Sequence, residues 1–196
     1  SKKFRCAKSL GNFNNLVGLP LTIFGIADGT KVAVLELASN QPGEIARLSD
    51  IAQPNIGIIT RIAEAHLLGF KNLLGVEREK RSLLSALGAE GIFIFNLSDP
   101  RLCRLALGFA GTKVGFGLRS PNFSYVGARL ASPFSGAEMI LQADKIQVVK
   151  KRKGFAQRFL VKVSGKKKEK GLVEIDGLGG HLVENALAAI AVGKIM

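Results

Sequence analysis

Through the first half of the chain, apolar runs of strand length alternate with segments of helical period, and this alternation restricts the fold more than any other feature. Val32-Ala-Val-Leu35 and Ile56-Gly-Ile-Ile59 are continuous apolar runs. Such runs read as strands buried on both faces of a parallel sheet. Between them, Gly43 to Ala52 carries Ile45, Leu48 and Ile51 on one helical face. Further strands are expected at Phe4–Ala7, Lys31–Leu37, Asn55–Thr60 and Gly91–Asn96, the last ended by Ser98-Asp-Pro100. An apolar helix is expected over Asn15–Ile26, with Pro20 in its first turns. Another is expected over Leu73–Leu87, with Val76, Leu83, Leu84 and Leu87 inside and Glu77, Arg78, Lys80 and Arg81 outside. Strand and helix in this order predict right-handed βαβ units, hence an α/β fold with a mostly parallel sheet flanked by helices.

After Thr112 the texture changes. Lys113–Gly117, Phe123–Ala131, Asp144–Val149 and Phe159–Val163 are β-rich pieces joined by Gly, Ser, Pro and Lys. They predict a small, partly antiparallel subregion over 113–176, inside one domain spanning 1–196. The lysine run at 166–170 reads as a loop, and a closing helix is expected from Leu182 to about Val192.

At 196 residues and 47% hydrophobic content the chain can bury a sizeable core. Its formal charge of +13 is concentrated between Lys145 and Lys170, where Glu169 is the one acidic residue. Such a cluster suits either a polyanion-binding surface or a solvated hairpin whose charges guard a sheet edge. Only Phe155 and Phe159 accompany it as stacking rings, so nucleic acid is not the expected partner. The two cysteines, Cys6 and Cys103, have no metal-ligand or redox spacing and suit a reducing cytosol. No signal peptide is expected, since the start Ser1-Lys-Lys-Phe-Arg5 has no apolar run behind it, and the longest apolar stretch, Leu16 to Ala27, falls short of the roughly 20 residues of a membrane helix. A cytoplasmic protein without a membrane span is expected.

Ligand crevices of open α/β sheets lie outside the carboxyl ends of the strands. Glu36 follows one apolar run there, and His66 lies in the loop after the next. A carboxylate so placed serves as a Mg²⁺ ligand or as a capping or ion-paired group. The imidazole serves as a ligand or as a structural histidine. Lys80, fourteen residues after His66, reads from composition as a solvated helix lysine. His181 and Asn185, four apart at the start of the last helix, share a face and follow the turn Gly177-Leu-Gly-Gly180. They suit an anion or a nucleotide base, or ordinary helix capping.

Four stretches together resemble the central, ATP-binding domain of the Mur ligases. They are Gly11-Asn-Phe-Asn-Asn-Leu-Val-Gly-Leu-Pro-Leu-Thr22, Ala33-Val-Leu-Glu-Leu-Ala-Ser-Asn-Gln-Pro-Gly-Glu-Ile45, Ala65-His-Leu67 and Asn185-Ala-Leu-Ala-Ala189. The first favours the branch that joins D-alanyl-D-alanine to UDP-N-acetylmuramoyl-tripeptide over its sister ligases and folylpolyglutamate synthase. The resemblance implies a P-loop-like fold, ATP and Mg²⁺ as cofactors, and N- and C-terminal domains of the same enzyme as partners. It implies that Glu36 and His66 are Mg²⁺ ligands and that Lys80 is carbamylated in support of the second metal. Asn14 and Asn15 would lie beside the phosphates and the attacking carboxylate, and His181 and Asn185 would contact adenine.

The chain departs from the family pattern at Arg61, Leu68, Ala38 and Leu182, where Asn, Glu, Gly and Asn are usual. Neither G-x-x-x-x-G-K-[ST] nor G-x-G-x-x-G occurs in it. The family's phosphate loop is expected just before Ser1, so these residues alone are expected to bind ATP weakly and not to turn over.

Overall fold

In a computed structural model, residues 4–64, 67–118, 137–152, 154–165 and 168–196 are described, and the side chains of Leu67, Leu68, Ala137 and Glu138 are not. The chain forms two compact units: residues 1–55 with 63–87, and residues 56–62 with 88–196. The predicted strand at Phe123–Ala131 lies outside the described residues.

The first unit holds strands β1 (Cys6–Lys8) and β2 (Val32–Val34) and helices α1 (Gly18–Phe24), α2 (Glu44–Ala52), α3 (Leu67–Phe70) and α4 (Leu73–Leu87). β1 and β2 pair in parallel as a two-stranded sheet. The expectation of a buried strand at Val32–Leu35 fails here: Ala33 and Val34 are exposed and Val32 and Leu35 half-buried. Among the described residues β2 pairs with β1 alone, at the edge of a two-stranded sheet. Helix α1 is shorter than expected: it begins at Gly18, and Asn15 lies in the turn that leads into it. On α2, Ile45 and Leu48 are buried but Ile51 stays exposed, which narrows the expected apolar face. Helix α4 spans the predicted range and buries Val76, Leu84, Leu87 and, unexpectedly, Glu79.

The second unit is built on a six-stranded sheet in the order β3 (Ile56–Ile59), β4 (Ile92–Asn96), β5 (Thr112–Leu118), β6 (Ala137–Lys151), β7 (Gly154–Gly165) and β8 (Glu169–Asp176). β3 through β6 run parallel, and β7 and β8 are antiparallel. Two expectations need correction. The Lys113–Gly117 strand belongs to the parallel part, and Glu169 and Lys170 of the supposed lysine loop begin strand β8. The run Ile56–Ile59 and the run at Val32 belong to different sheets, so Glu36 and His66 do not follow neighbouring strands of one sheet.

Helix α5 (Pro100–Leu107) occupies the place read as a strand terminator. Asp99 caps it, accepting from the Arg101 N–H at 2.9 Å, with Pro100 at the first helical position. The second Asp99 oxygen accepts from the Ile62 N–H at 2.7 Å. Asp99→Ala removes the cap and orphans the buried Ile62 amide, at an expected cost of about 2 kcal/mol. Urea unfolding measures this, and a loss under about 0.5 kcal/mol contradicts it.

Helix α6 (Gly180–Ile195) buries Val183, Leu187, Ala188 and Ala191 in the core with Ile94, Val114, Phe116, Leu141, Phe159 and Val161. Small residues on this helix let it lie close to the sheet. Phe93 and Phe95 stack at 5.2 Å, and Phe109 meets Phe93 edge-on at 5.8 Å. In α5, burial raises the Cys103 thiol to about 11, helped by the nearby Asp99 carboxylate. At pH 8 its thiolate fraction is about one in a thousand. Iodoacetamide is expected to label exposed Cys6 at least about tenfold faster. Equal rates by mass spectrometry would refute this.

Candidate nucleotide and metal site

Polar residues of the first unit that the sequence singled out, Asn14, Asn15 and Glu36, gather at the turn between β1 and α1 and the segment that follows β2. Asn14 Nδ2 donates to Glu36 Oε1 at 3.1 Å. The Ala38 N–H donates to the Asn14 carbonyl at 2.8 Å, and the Glu36 N–H to Ser9 Oγ at 3.0 Å. Two of the sequence stretches are therefore stitched together at Asn14 and Glu36. The Glu36 carboxylate is exposed, with an oxygen engaged by a neutral amide. A hard, solvent-exposed oxygen of this kind fits Mg²⁺, which takes one or two carboxylates and keeps several other oxygen ligands. Among the described residues no group of three His, Cys, Asp or Glu side chains forms a complete cation site.

Asn15 has a local duty. Its Oδ1 accepts from the Val17 and Gly18 N–H groups at 3.1 and 2.9 Å, closing the turn into α1. Gly18 permits the turn, since a Cβ there would come within 2.5 Å of the Phe13 backbone. The Asn-x-Asn-Asn-x-x-Gly string thus presents Asn14 while Asn15 and Gly18 shape its support. Lys80 lies half-buried on α4, not on the fully solvated face expected from composition. His66 lies outside the described residues.

In the second unit, His181 and Asn185 occupy the first two turns of α6, both exposed and on one face. No acidic residue occupies the first turn of that helix, so its partial positive charge is not offset there.

Three cations of the basic cluster, Lys151, Arg158 and Lys162, are paired by acids from outside the segment. Lys151 bridges Glu174 and Asp176, each at 2.8 Å, and Arg158 meets Glu174 at 2.8 Å. Lys162 meets Asp144 at 2.6 Å, while Glu169 pairs with Lys194. Asp176 and then Glu174 raise the Lys151 pKa, and Lys151 and then Arg158 lower that of Glu174. Cross-strand register brings these groups together, so the segment reads as a salt-laced edge of the sheet.

Sequence reasoning missed Glu79 and Asp99. Both were legible: Val76, Leu83 and Leu87 put position 79 or 80 on the inner face of α4, and Ser98-Asp-Pro100 is a helix-start signal.

A mixed sheet flanked by helices, a turn presenting Asn14 and a carboxylate after β2 define an α/β domain with polar groups gathered after a strand end, where ligands of such folds bind. The chain belongs to the Mur ligase middle domain family, whose model matches residues 1–193. It is 29% identical over 196 residues to the UDP-N-acetylmuramoyl-tripeptide–D-alanyl-D-alanine ligase of Bacillus subtilis (strain 168), covering 97% of this chain and 35% of that protein. The Escherichia coli (strain K12) ligase of the same name is 36% identical over 98 residues, covering 48% of this chain and 22% of the relative. The chain therefore spans about a third of the Bacillus relative. Among solved structures, MurF from Acinetobacter baumannii matches with a TM-score of 0.76 at 24% identity, over 98% of this chain and 37% of that one. The MurF ligase of Thermotoga maritima, solved in complex with ADP, matches with a TM-score of 0.71 at 21% identity, over 99% and 40%. These two likenesses carry the fold. No helix among the described residues is long and apolar enough to cross a membrane.

Proposed function

We propose that this chain is the nucleotide-handling part of a cytoplasmic ligase that joins D-alanyl-D-alanine to UDP-N-acetylmuramoyl-tripeptide while ATP is cleaved to ADP and phosphate. The observation that carries the reading is the Asn14–Glu36 contact, which unites an amide donor and a hard carboxylate at one exposed point. The names of the relatives supply the substrates, and their greater length implies flanking domains that complete both substrate sites.

In this reaction the terminal carboxylate of the tripeptide attacks the γ-phosphorus of ATP, forming an acyl phosphate and releasing ADP. The amine of D-alanyl-D-alanine then attacks the acyl carbon. Phosphate leaves with the C–O bonding pair, and the nitrogen loses a proton to solvent or base. Such transfers are catalysed by positioning and charge neutralisation. Glu36, His66 and a carbamylated Lys80 would hold Mg²⁺, which neutralises the phosphate oxygens. Asn14 donates an amide N–H beside Glu36 and can orient a phosphate oxygen. Asn15, its carbonyl committed to the turn, retains its amide as the donor toward the incoming carboxylate. His181 and Asn185 offer hydrogen bonds to the base from one face of α6.

The reading is tested by ADP release from the gene product that carries this chain. Release is expected to require both the tripeptide nucleotide and the dipeptide, and the 196-residue chain alone is expected to bind Mg²⁺–ATP weakly without turnover. Rapid ADP release by the chain alone, or release indifferent to either acceptor, refutes it.

A further inference from the structure

The only carboxylate buried on α4, Glu79, makes no contact expected of a solvated helix residue. It is 5% exposed, and both oxygens are spent on backbone: Oε2 accepts from the Gly43 N–H and Oε1 from the Ile45 N–H, each at 2.7 Å. These amides open α2, where the macrodipole favours an anion. The same loop is gripped twice more. Glu44 Oε2 accepts from the Asn40 and Gln41 N–H groups at 2.6 and 3.0 Å, and these bonds, Asn40 first, lower the Glu44 pKa. Gly69 of α3 lies so close beneath that a Cβ would collide with the Asn40 carbonyl oxygen. Upstream, the Ala38 N–H is held by the Asn14 carbonyl, and Asn14 holds Glu36. From Glu36 to Ile45 the backbone is thus tied at Glu36, Ala38, Asn40, Gln41, Gly43 and Ile45.

We propose that Glu79 is a positioning residue: it locks the 38–45 loop from α4 and thereby holds Asn14 and Glu36 in the geometry that receives the nucleotide phosphates and their cation. Glu79 precedes Lys80, so one helix turn both anchors this loop and presents the lysine. The inference deepens the ligase reading and rests on it for the identity of the ligand. The locking itself is a property of the folded chain.

Amide hydrogen exchange of the 196-residue chain by NMR, without nucleotide, tests the lock. In Glu79→Gln, which keeps size but lets one of the two acceptors turn donor, exchange at Gly43 or Ile45 is expected to rise about tenfold. The decisive amide is Ala38, which Glu79 does not touch; its exchange is expected to rise about threefold or more. Glu79→Asp, which shortens the reach by one methylene, serves the same comparison should Glu79→Gln not fold. Asp99→Ala removes a buried helix-capping carboxylate of the other unit and is expected to leave Ala38 unchanged. If Gly43 and Ile45 accelerate while Ala38 does not, Glu79 is a local cap and the inference is overturned.

A second arm measures the Mg²⁺ concentration that half-saturates binding of a fluorescent ATP analogue. Glu79→Gln is expected to raise it about five- to tenfold and Asp99→Ala to leave it unchanged. An unchanged requirement in Glu79→Gln overturns the positioning role. Absence of Mg²⁺-dependent binding in the unaltered chain counts instead against the ligase reading, while the exchange data still decide the lock.

Discussion

Replacing Glu36 with alanine is expected to lower kcat/KM for ATP in the ligase by about 10²- to 10⁴-fold while leaving the fold nearly untouched. The two halves of this expectation have different physical sources. Glu36 is exposed and its recorded side-chain bond is a single amide contact to Asn14, so its removal costs stability only on the order of 0.5 kcal/mol. Its proposed duty is larger: the carboxylate would hold the Mg²⁺ whose positive charge offsets that of the phosphate oxygens, an effect of several kcal/mol in a partly dehydrated site, on the order given for metal-ion catalysis. Glu36→Gln keeps the contact to Asn14 and loses the anion. It should behave like alanine in turnover and like the unaltered protein in thermal unfolding. Turnover within about threefold of the parent in either variant would remove Glu36 from the metal site.

The largest expected loss of stability lies elsewhere. Phe159→Ala should destabilise the second unit by about 3–5 kcal/mol. Phe159 is fully buried on β7, within the core that β4, β5 and β6 share with α6. Its ring cannot be replaced by local collapse, because strand pairing on both sides holds β7 in register. Phe155, four residues earlier on the same strand, is 48% exposed, and Phe155→Ala should cost less than about 1 kcal/mol. Denaturant unfolding of the pair checks both. A Phe159→Ala loss under about 1.5 kcal/mol would mean that α6 does not seal this face of the sheet.

Glu79 changes how the first unit is understood. Its position next to Lys80 invites attention to the lysine, yet the carboxylate carries the structural connection from α4 to α2 and the 38–45 loop. A loop bearing catalytic groups is useful only when rigid elements hold it, since small misplacements are costly in rate. Here two carboxylates, Glu79 from α4 and Glu44 from within the loop, and the Asn14 backbone carbonyl hold it.

Much of this was legible from local pattern. The helical period over Leu73–Leu87 needed no tertiary information, because apolar spacing, not neighbours, defines its inner face. The Asn-x-Asn-Asn-x-x-Gly string, with Glu36 and its Ser-Asn-Gln-Pro-Gly continuation, marked the family from local pattern alone. Local signals were also present but misjudged: Asp99-Pro100 ends a strand and starts a helix within four residues, and both duties use the same residue types.

Other features depended on partners far away in the chain. Burial of an apolar run depends on what lies on either side of it, so Val32–Leu35 and Ile56–Ile59 looked alike in sequence yet entered different sheets. The charge between Lys145 and Lys170 appeared unopposed because its counterions, Asp144, Glu174 and Asp176, reach it across strands. Side-chain type and period, which act within a turn or a strand, were enough in the sequence alone for helices α2, α4 and α6, the positions of strands β3 and β4, and the family motif. The tertiary structure decided which strands pair, which charges are balanced and which carboxylate is buried, because hydrogen bonds and ion pairs form between groups that only folding brings within reach.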